Sequence, residues 1–239
     1  MSRRTELIQA AGAVSVGEAL MLARCGVSYV GLPLRLPVHR PDVTDEEARA
    51  IVAALAGSGA QAVLITYLSD AEEALALCRY LGVSGLQLHG NMPLAHAARL
   101  RAAAPELFVI KSLVIGTAPE ADILAQAQAH APLVDAFLTD TFDPASGASG
   151  ATGKVHDWAV SARLARALPR PLILAGGLDA DNVAEAIRTV QPGGVDAHTG
   201  LEDTQGRKDE ALLRRFVTQA RAAFAALGAA GLAKDCDSA

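Results

Sequence analysis

The chain is poor in aromatic residues, which fill 4% of its 239 positions, and it holds only three cysteines and no dense run of lysine or arginine. With 21 basic against 26 acidic residues the formal net charge is −5. The clustered cationic face that phosphate-backbone binding needs is missing, which excludes nucleic acid as the main partner. No apolar run approaches the roughly 18 to 20 residues of a membrane span, so no membrane partner is expected. Arg3 and Arg4 are followed by Thr5 and Glu6 rather than by an apolar stretch, so no secretory signal is read. Cys25, Cys78 and Cys236 form no Cys-x-x-Cys or Cys/His ligand spacing, and their odd number predicts free thiols in a reducing cytoplasm. The histidines at 39, 96, 130 and 156 show no ligand spacing with carboxylates, and no metal is assigned.

What the chain does have is aliphatic bulk. Hydrophobic residues make up 51% of it, and alanine about a fifth, a bias that favours helix and lets helices pack closely. Disorder and collagen-like repeats are excluded. Short apolar runs at 7–11, 29–32, 62–66, 85–89, 108–113, 136–140, 172–175 and 195–197 alternate with amphipathic stretches that begin near Ser15, Thr44, Ser69, Pro93, Pro119, Asp157, Asp181 and Lys208. Strand and helix taking turns implies a parallel sheet, and eight such units in this length predict an α/β fold of the TIM (β/α)8 barrel type. The barrel is expected to fill 1–227 as a single domain, with a tail at 228–239 that frays. Ser15/Glu18, Thr44/Glu47 and Ser69/Glu72 have the spacing of capping boxes, which sets three helix starts. One long segment, 141–155, is rich in Gly, Ser and Ala and reads as a lid or binding loop on the C-terminal face, where barrel chemistry sits.

Several side chains fall at strand ends on that face. Gly176-Gly177 after the seventh strand and Thr199-Gly200 after the eighth would let backbone N–H groups approach an anion, at the loops where phosphate sites recur in this fold. Asp140 closes the sixth strand, where desolvation would raise its pKa and suit a general acid; the other reading is an Asp that ties down the following turn. Gln87 with His89, and Asp196 with His198, share a face by alternation and are candidates for the barrel mouth. Lys111 and Arg40 could hold anionic groups, although a plain surface role is equally open to Arg40.

With these pieces in order, the sequence resembles the phosphoribosylanthranilate isomerase family over nearly its whole length. The stretches that carry the resemblance are Leu86-Gln87-Leu88-His89-Gly90, Leu138-Thr139-Asp140-Thr141, Thr152-Gly153-Lys154 with Asp157-Trp158, Leu174-Ala175-Gly176-Gly177-Leu178, and Val195-Asp196 through Thr199-Gly200-Leu201-Glu202 to Gly206-Arg207-Lys208-Asp209. The resemblance implies a cofactor-free Amadori rearrangement of a small phosphorylated sugar, in which an acid opens the sugar ring and a base takes the C2 proton. It implies that Asp140 is the acid, that Arg40 holds the anthranilate carboxylate with Asp196 nearby, and that Gly176, Gly177, Thr199 and Gly200 bind phosphate. A monomer or a homodimer is expected.

One position departs from that family. Its first strand ends in Lys-Ile-Cys-Gly with the Cys as general base, whereas this chain reads Gln9-Ala10-Ala11-Gly12. Ala11 cannot ionise, and Cys25 lies on the first outer helix. His198 ends the eighth strand, which neighbours the first in a closed barrel, and either replaces the base or fills vacated space. Three readings follow: the isomerase with an altered base, a diverged barrel enzyme acting on another phosphorylated sugar or amino-sugar, and a catalytically silent phosphate-ligand-binding protein.

Overall fold

Alternation along the first strand, β1 (Leu7–Ala11), turns Leu7, Gln9 and Ala11 one way and Ile8 and Ala10 the other, and both sets are buried. A strand covered on both faces belongs inside a parallel sheet wrapped by helices. The structure, a computed structural model, describes residues 6–36, 43–143, 148–149 and 157–236. In chain order β1 is followed by α1 (Val16–Arg24), β2 (Tyr29–Leu34), α2 (Asp45–Leu55), β3 (Gln61–Thr66), α3 (Ala71–Leu81), β4 (Gly85–Leu88), α4 (Leu94–Ala103), β5 (Phe108–Ile115), α5 (Glu120–His130), β6 (Ala136–Asp143) and β7 (Ala148–Ser149). Then come α6 (Trp158–Ala167), β8 (Leu172–Leu174), α7 (Val183–Val190), β9 (Gly194–Ala197), a 3-10 turn at Thr199–Leu201 and α8 (Glu210–Cys236).

The sheet order β5-β4-β3-β2-β1-β9-β8-β6 closes on itself through β5 and β6, every pairing in that ring being parallel. This is the (β/α)8 barrel expected from the sequence, with β7 added as a short antiparallel partner of β6 outside the ring. Two buried clusters separate its layers. Leu7, Ala11, Val63, Ile65, Ile110, Ala136, Leu138, Ile173 and Ala175 fill the barrel interior, while Ile8, Val30, Leu64, Leu86, Val109, Phe137, Leu174 and Val195 pack outward against the helices. Tyr29 and Phe108, both at strand starts, stack with ring centroids 5.5 Å apart and cover the N-terminal end of the interior.

Helix starts follow local chemistry, with two departures from the expected boxes. At Thr44 the box is complete, each partner accepting the other's backbone N–H. At Ser15 only half of it forms: Oγ accepts Glu18 N–H, but the Glu18 carboxylate accepts the N–H groups of Val14 and Lys208 instead. That choice ties the first helix to the segment before the last one. Ser69 is not the cap of α3. Asp70, one residue closer to the helix, accepts the N–H groups of Glu72 and Glu73 on one oxygen, satisfying two orphan donors where Ser69 would satisfy one.

The chain end also departs from the sequence expectation. α8 runs through Leu227 to Cys236. Ala229, Ala230, Leu232 and Ala233 are strong helix formers, and Gly228 and Gly231 each cost only about 1 kcal/mol against alanine in a helix, so the helix outlasts the point at which the glycines suggest it frays.

Candidate active site

Polar side chains gather at one end of the barrel, where β1, β4, β5, β6 and β9 finish. Gln9 on β1 donates Nε2–H to Gln87 Oε1 on β4 at 2.9 Å, and Gln87 donates in turn to Ser112 Oγ on β5 at 3.2 Å. Ser112 Oγ lies 3.0 Å from His89 Nδ1, which is 3.6 Å from Asp140 Oδ2 on β6. A buried hydrogen-bonded line therefore runs across the mouth from β1 through Gln87 and Ser112 to His89, with Asp140 of β6 at ion-pair distance from its end. Such a line is stable because each link satisfies groups that burial would otherwise penalise. The His89 ring also meets Tyr67 edge-on at 4.6 Å.

Asp140 has the turn-tying hydrogen bond of one reading and the burial-raised pKa on which the other rests. Its Oδ1 accepts the Thr141 backbone N–H at 2.8 Å, tying down the turn, while Oδ2 faces His89. Burial raises its pKa to about 7, against smaller lowering effects of the Thr141 N–H and of nearby His198. Asp196 sits on β9 in register with Gln9. Burial and then the charge of Asp140 push it to about 7 as well, against the lowering effects of His198, Gln9 and Lys208. Asp196 Oδ1 and Gln9 Oε1 are both buried acceptors without a hydrogen-bond donor, an arrangement that favours the protonated acid over its anion. Two carboxyls that each titrate near neutrality under the influence of one imidazole can hold and release protons at physiological pH.

His198 follows β9 and rests on the end of β1, so close that a Cβ on Gly12 would lie 2.3 Å from its Nε2. The same nitrogen is 3.2 Å from Glu202 Oε1. Glu202 is a site residue that the sequence reading did not single out, although its i, i+4 spacing from His198 across a turn was available. Burial works against its charge, but hydrogen bonds from His198 and Lys208 outweigh that and hold its carboxyl near 2.

The glycine loops after β8 and β9 converge. A Cβ on Gly200 would fall 2.1 Å from the Leu178 carbonyl oxygen, so the backbone of one loop lies directly on the other. Gly176 and Gly177 take left-handed φ of +99° and +63°. Asn182 Nδ2 donates to the Gly177 carbonyl at 2.8 Å, holding that loop at the start of α7.

The structure thus brings together Asp140, His89, Gln87, Asp196 and His198, with Gly176, Gly177, Thr199 and Gly200 on the adjoining loops. Arg40 and most of 141–155 lie outside the described residues. Lys111 is not turned to the mouth. Its Nζ donates to the carbonyls of Leu88, Gly90 and Ser112, and burial lowers its pKa to about 8; with its protons spent on backbone, it braces the end of β4 against β5. Gln9 and Ser112 join the site unannounced, though alternation from Leu7 and Ile110 places both inward. Among the described residues no group of three or more His, Cys, Asp or Glu is arranged to hold a metal ion, and no helix is long and apolar enough to cross a membrane.

Fold and site together define a barrel enzyme whose carboxyl and imidazole groups are collected at the C-terminal mouth. Residues 26–219 match the family model described as N-(5'phosphoribosyl)anthranilate (PRA) isomerase, and the chain belongs to that family. An N-(5'-phosphoribosyl)anthranilate isomerase 2 from Methanosarcina mazei is 37% identical over 218 residues, covering 91% of this chain and 95% of the relative. The N-(5'-phosphoribosyl)anthranilate isomerase of Haloferax volcanii is 36% identical over 223 residues, covering 92% and 95%. Among solved structures, phosphoribosyl anthranilate isomerase from Thermotoga maritima superposes with a TM-score of 0.76 at 26% identity, covering 91% of this chain and 99% of that one. Another structure from the same organism is of monomers of a dimeric phosphoribosylanthranilate isomerase, with a TM-score of 0.74 at 25% identity over 91% of this chain and 99% of that one.

Proposed function

We propose that the protein is itself a phosphoribosylanthranilate isomerase, converting N-(5-phosphoribosyl)anthranilate to 1-(2-carboxyphenylamino)-1-deoxyribulose 5-phosphate. The observation that carries this reading, in a chain of this family, is the buried Asp140 carboxyl on β6, its Oδ2 3.6 Å from His89 Nδ1 and its pKa raised by burial. Asp140 in its acid form gives its proton to the ring oxygen of the sugar as the C1–O bond breaks, and the nitrogen lone pair completes an iminium. His198 then removes the C2 proton, and the released pair forms the C1–C2 double bond and neutralises the iminium. The enol so formed tautomerises to the ketone, its hydroxyl losing a proton as C1 gains one. Atoms and electrons balance without a cofactor.

Asp196, Gln87 and His89 take substrate-binding roles in this reading, and Arg40 is the proposed partner of the anthranilate carboxylate. Gly176, Gly177, Thr199 and Gly200 offer backbone N–H groups to the phosphate. All of these come from one chain, so a monomer and a homodimer would both carry a whole site. We place the protein in the cytoplasm, which suits the free thiols of Cys25 and Cys78, both buried. Complementation tests the function: the gene should restore growth without tryptophan to a strain lacking the isomerase. Failure to restore it, with the folded protein present in the extract, overturns the proposal.

A further inference from the structure

A neutral imidazole carries one N–H and one lone pair, and the partner of the N–H decides which nitrogen is which. His198 Nε2 has such a partner, Glu202 Oε1 at 3.2 Å. The same oxygen accepts from Lys208 Nζ at 2.7 Å, and Lys208 Nζ also donates to the His198 carbonyl at 3.0 Å. Backbone pairing of Glu202 with Lys208 completes a closed arrangement of the three residues. Because the Lys208 ammonium is buried beside it, Glu202 remains a carboxylate throughout the range in which the neighbouring acids titrate, and a carboxylate only accepts. In the neutral ring this contact favours the hydrogen on Nε2. The groups acting on His198 are Glu202 on this side, Asp140 and Asp196 from β6 and β9, and Lys208 behind Glu202; the backbone of Gly12, just after β1, lies against the ring.

We propose that Glu202 is a positioning residue for the reaction: it fixes His198 in the Nε2–H tautomer, leaving Nδ1 as the basic atom, and stabilises the imidazolium formed when Nδ1 takes the C2 proton. This rests on the reading of His198 as the base. Lys208 keeps Glu202 ionised, so the carboxylate does not compete for that proton.

Nitrogen-15 NMR of histidine-labelled protein tests it, with the His198 signals assigned from His198→Ala. In the neutral ring, reached by raising the pH until the His198 signals stop moving, the wild type should show Nε2 protonated and Nδ1 bare. Glu202→Ala should lose this signature and lower kcat by about 10- to 100-fold with KM nearly unchanged, a fraction of what a general base contributes. Glu202→Gln, which keeps an acceptor beside Nε2 and spares the fold if the alanine variant does not survive, should retain the tautomer and recover part of the rate. A wild type with Nδ1 protonated, or a folded Glu202→Ala with the original tautomer and kcat, overturns the proposal. If His198→Ala turns over at the wild-type rate while the tautomer is as expected, the base reading has failed, and the positioning role falls with it although the contact stands.

Discussion

Gly12 and His198 are locked together: the imidazole lies over the residue after Ala11 so closely that no side chain fits between them. Gly12 also has a φ of +83°, which strains any residue with a Cβ. Gly12→Ala should therefore cost about 1 to 3 kcal/mol and displace the ring, lowering turnover. In a His198→Ala background the clash is gone and only the backbone strain remains, so the same substitution should cost less. Equal costs in the two backgrounds, measured by denaturant unfolding, would show that the ring does not rest on Gly12.

Asp140 gives the protein a pH-dependent weakness. Its folded pKa of about 7 exceeds the ordinary 3.8, so between those values the native state keeps a proton that the unfolded chain has lost. Stability therefore falls as pH rises through that window and stays reduced above it. Asn at 140 can keep the Thr141 hydrogen bond and does not titrate. Asp140→Asn should be inactive yet more stable than the wild type at about pH 8, by on the order of 1 kcal/mol or more, with the difference shrinking toward about pH 4. A stability difference that stays constant across that range would contradict the buried, proton-holding carboxyl.

Gly200 should be intolerant of any side chain. Its Cβ would strike the backbone carbonyl of Leu178, which cannot swing aside as a long side chain can. Gly200→Ala should part the two loops and weaken binding of a phosphorylated ligand by about tenfold or more, a loss on the order of one charge-assisted hydrogen bond, while leaving the carboxyls at the mouth in place. Competition by inorganic phosphate or ribulose 5-phosphate reads this directly. Unchanged inhibition in the folded variant would remove these loops from the phosphate site.

Strand order and alternation made the barrel legible in the sequence, together with the shared face of Gln87 and His89, which closure of the barrel turns inward. Contacts between strands distant in sequence were not legible. Gln9 and Gln87 are far apart along the chain, and only closure of the barrel makes them hydrogen-bonding neighbours. Lys111 looked available for an anion because its strand position was visible, whereas the three carbonyls that take its protons come from backbone geometry. Its spacing to Glu72 marks Ser69 as the cap of α3, and local pattern alone could not show that the helix starts one residue later, capped by Asp70. Glu202 was hidden by a different cause: its partners His198 and Lys208 lie on either side of an irregular turn, where no periodicity announces a shared face.

The first strand provides a rescue experiment. Ala11 faces the barrel interior and is buried, at the position that the sequence resemblance matches to a cysteine base. In a His198→Ala background, Ala11→Cys should restore about tenfold or more of the lost turnover, within the range that a general base contributes. A double variant no faster than His198→Ala would mean that the end of β1 no longer addresses the substrate's C2.

The central claim is that His198 supplies the base that Ala11 cannot. Turnover of N-(5-phosphoribosyl)anthranilate by purified wild type and His198→Ala tests it most directly. The account predicts a measurable wild-type kcat and a fall of about 10²- to 10⁴-fold in the variant, with KM little changed. A variant as fast as the wild type would contradict it.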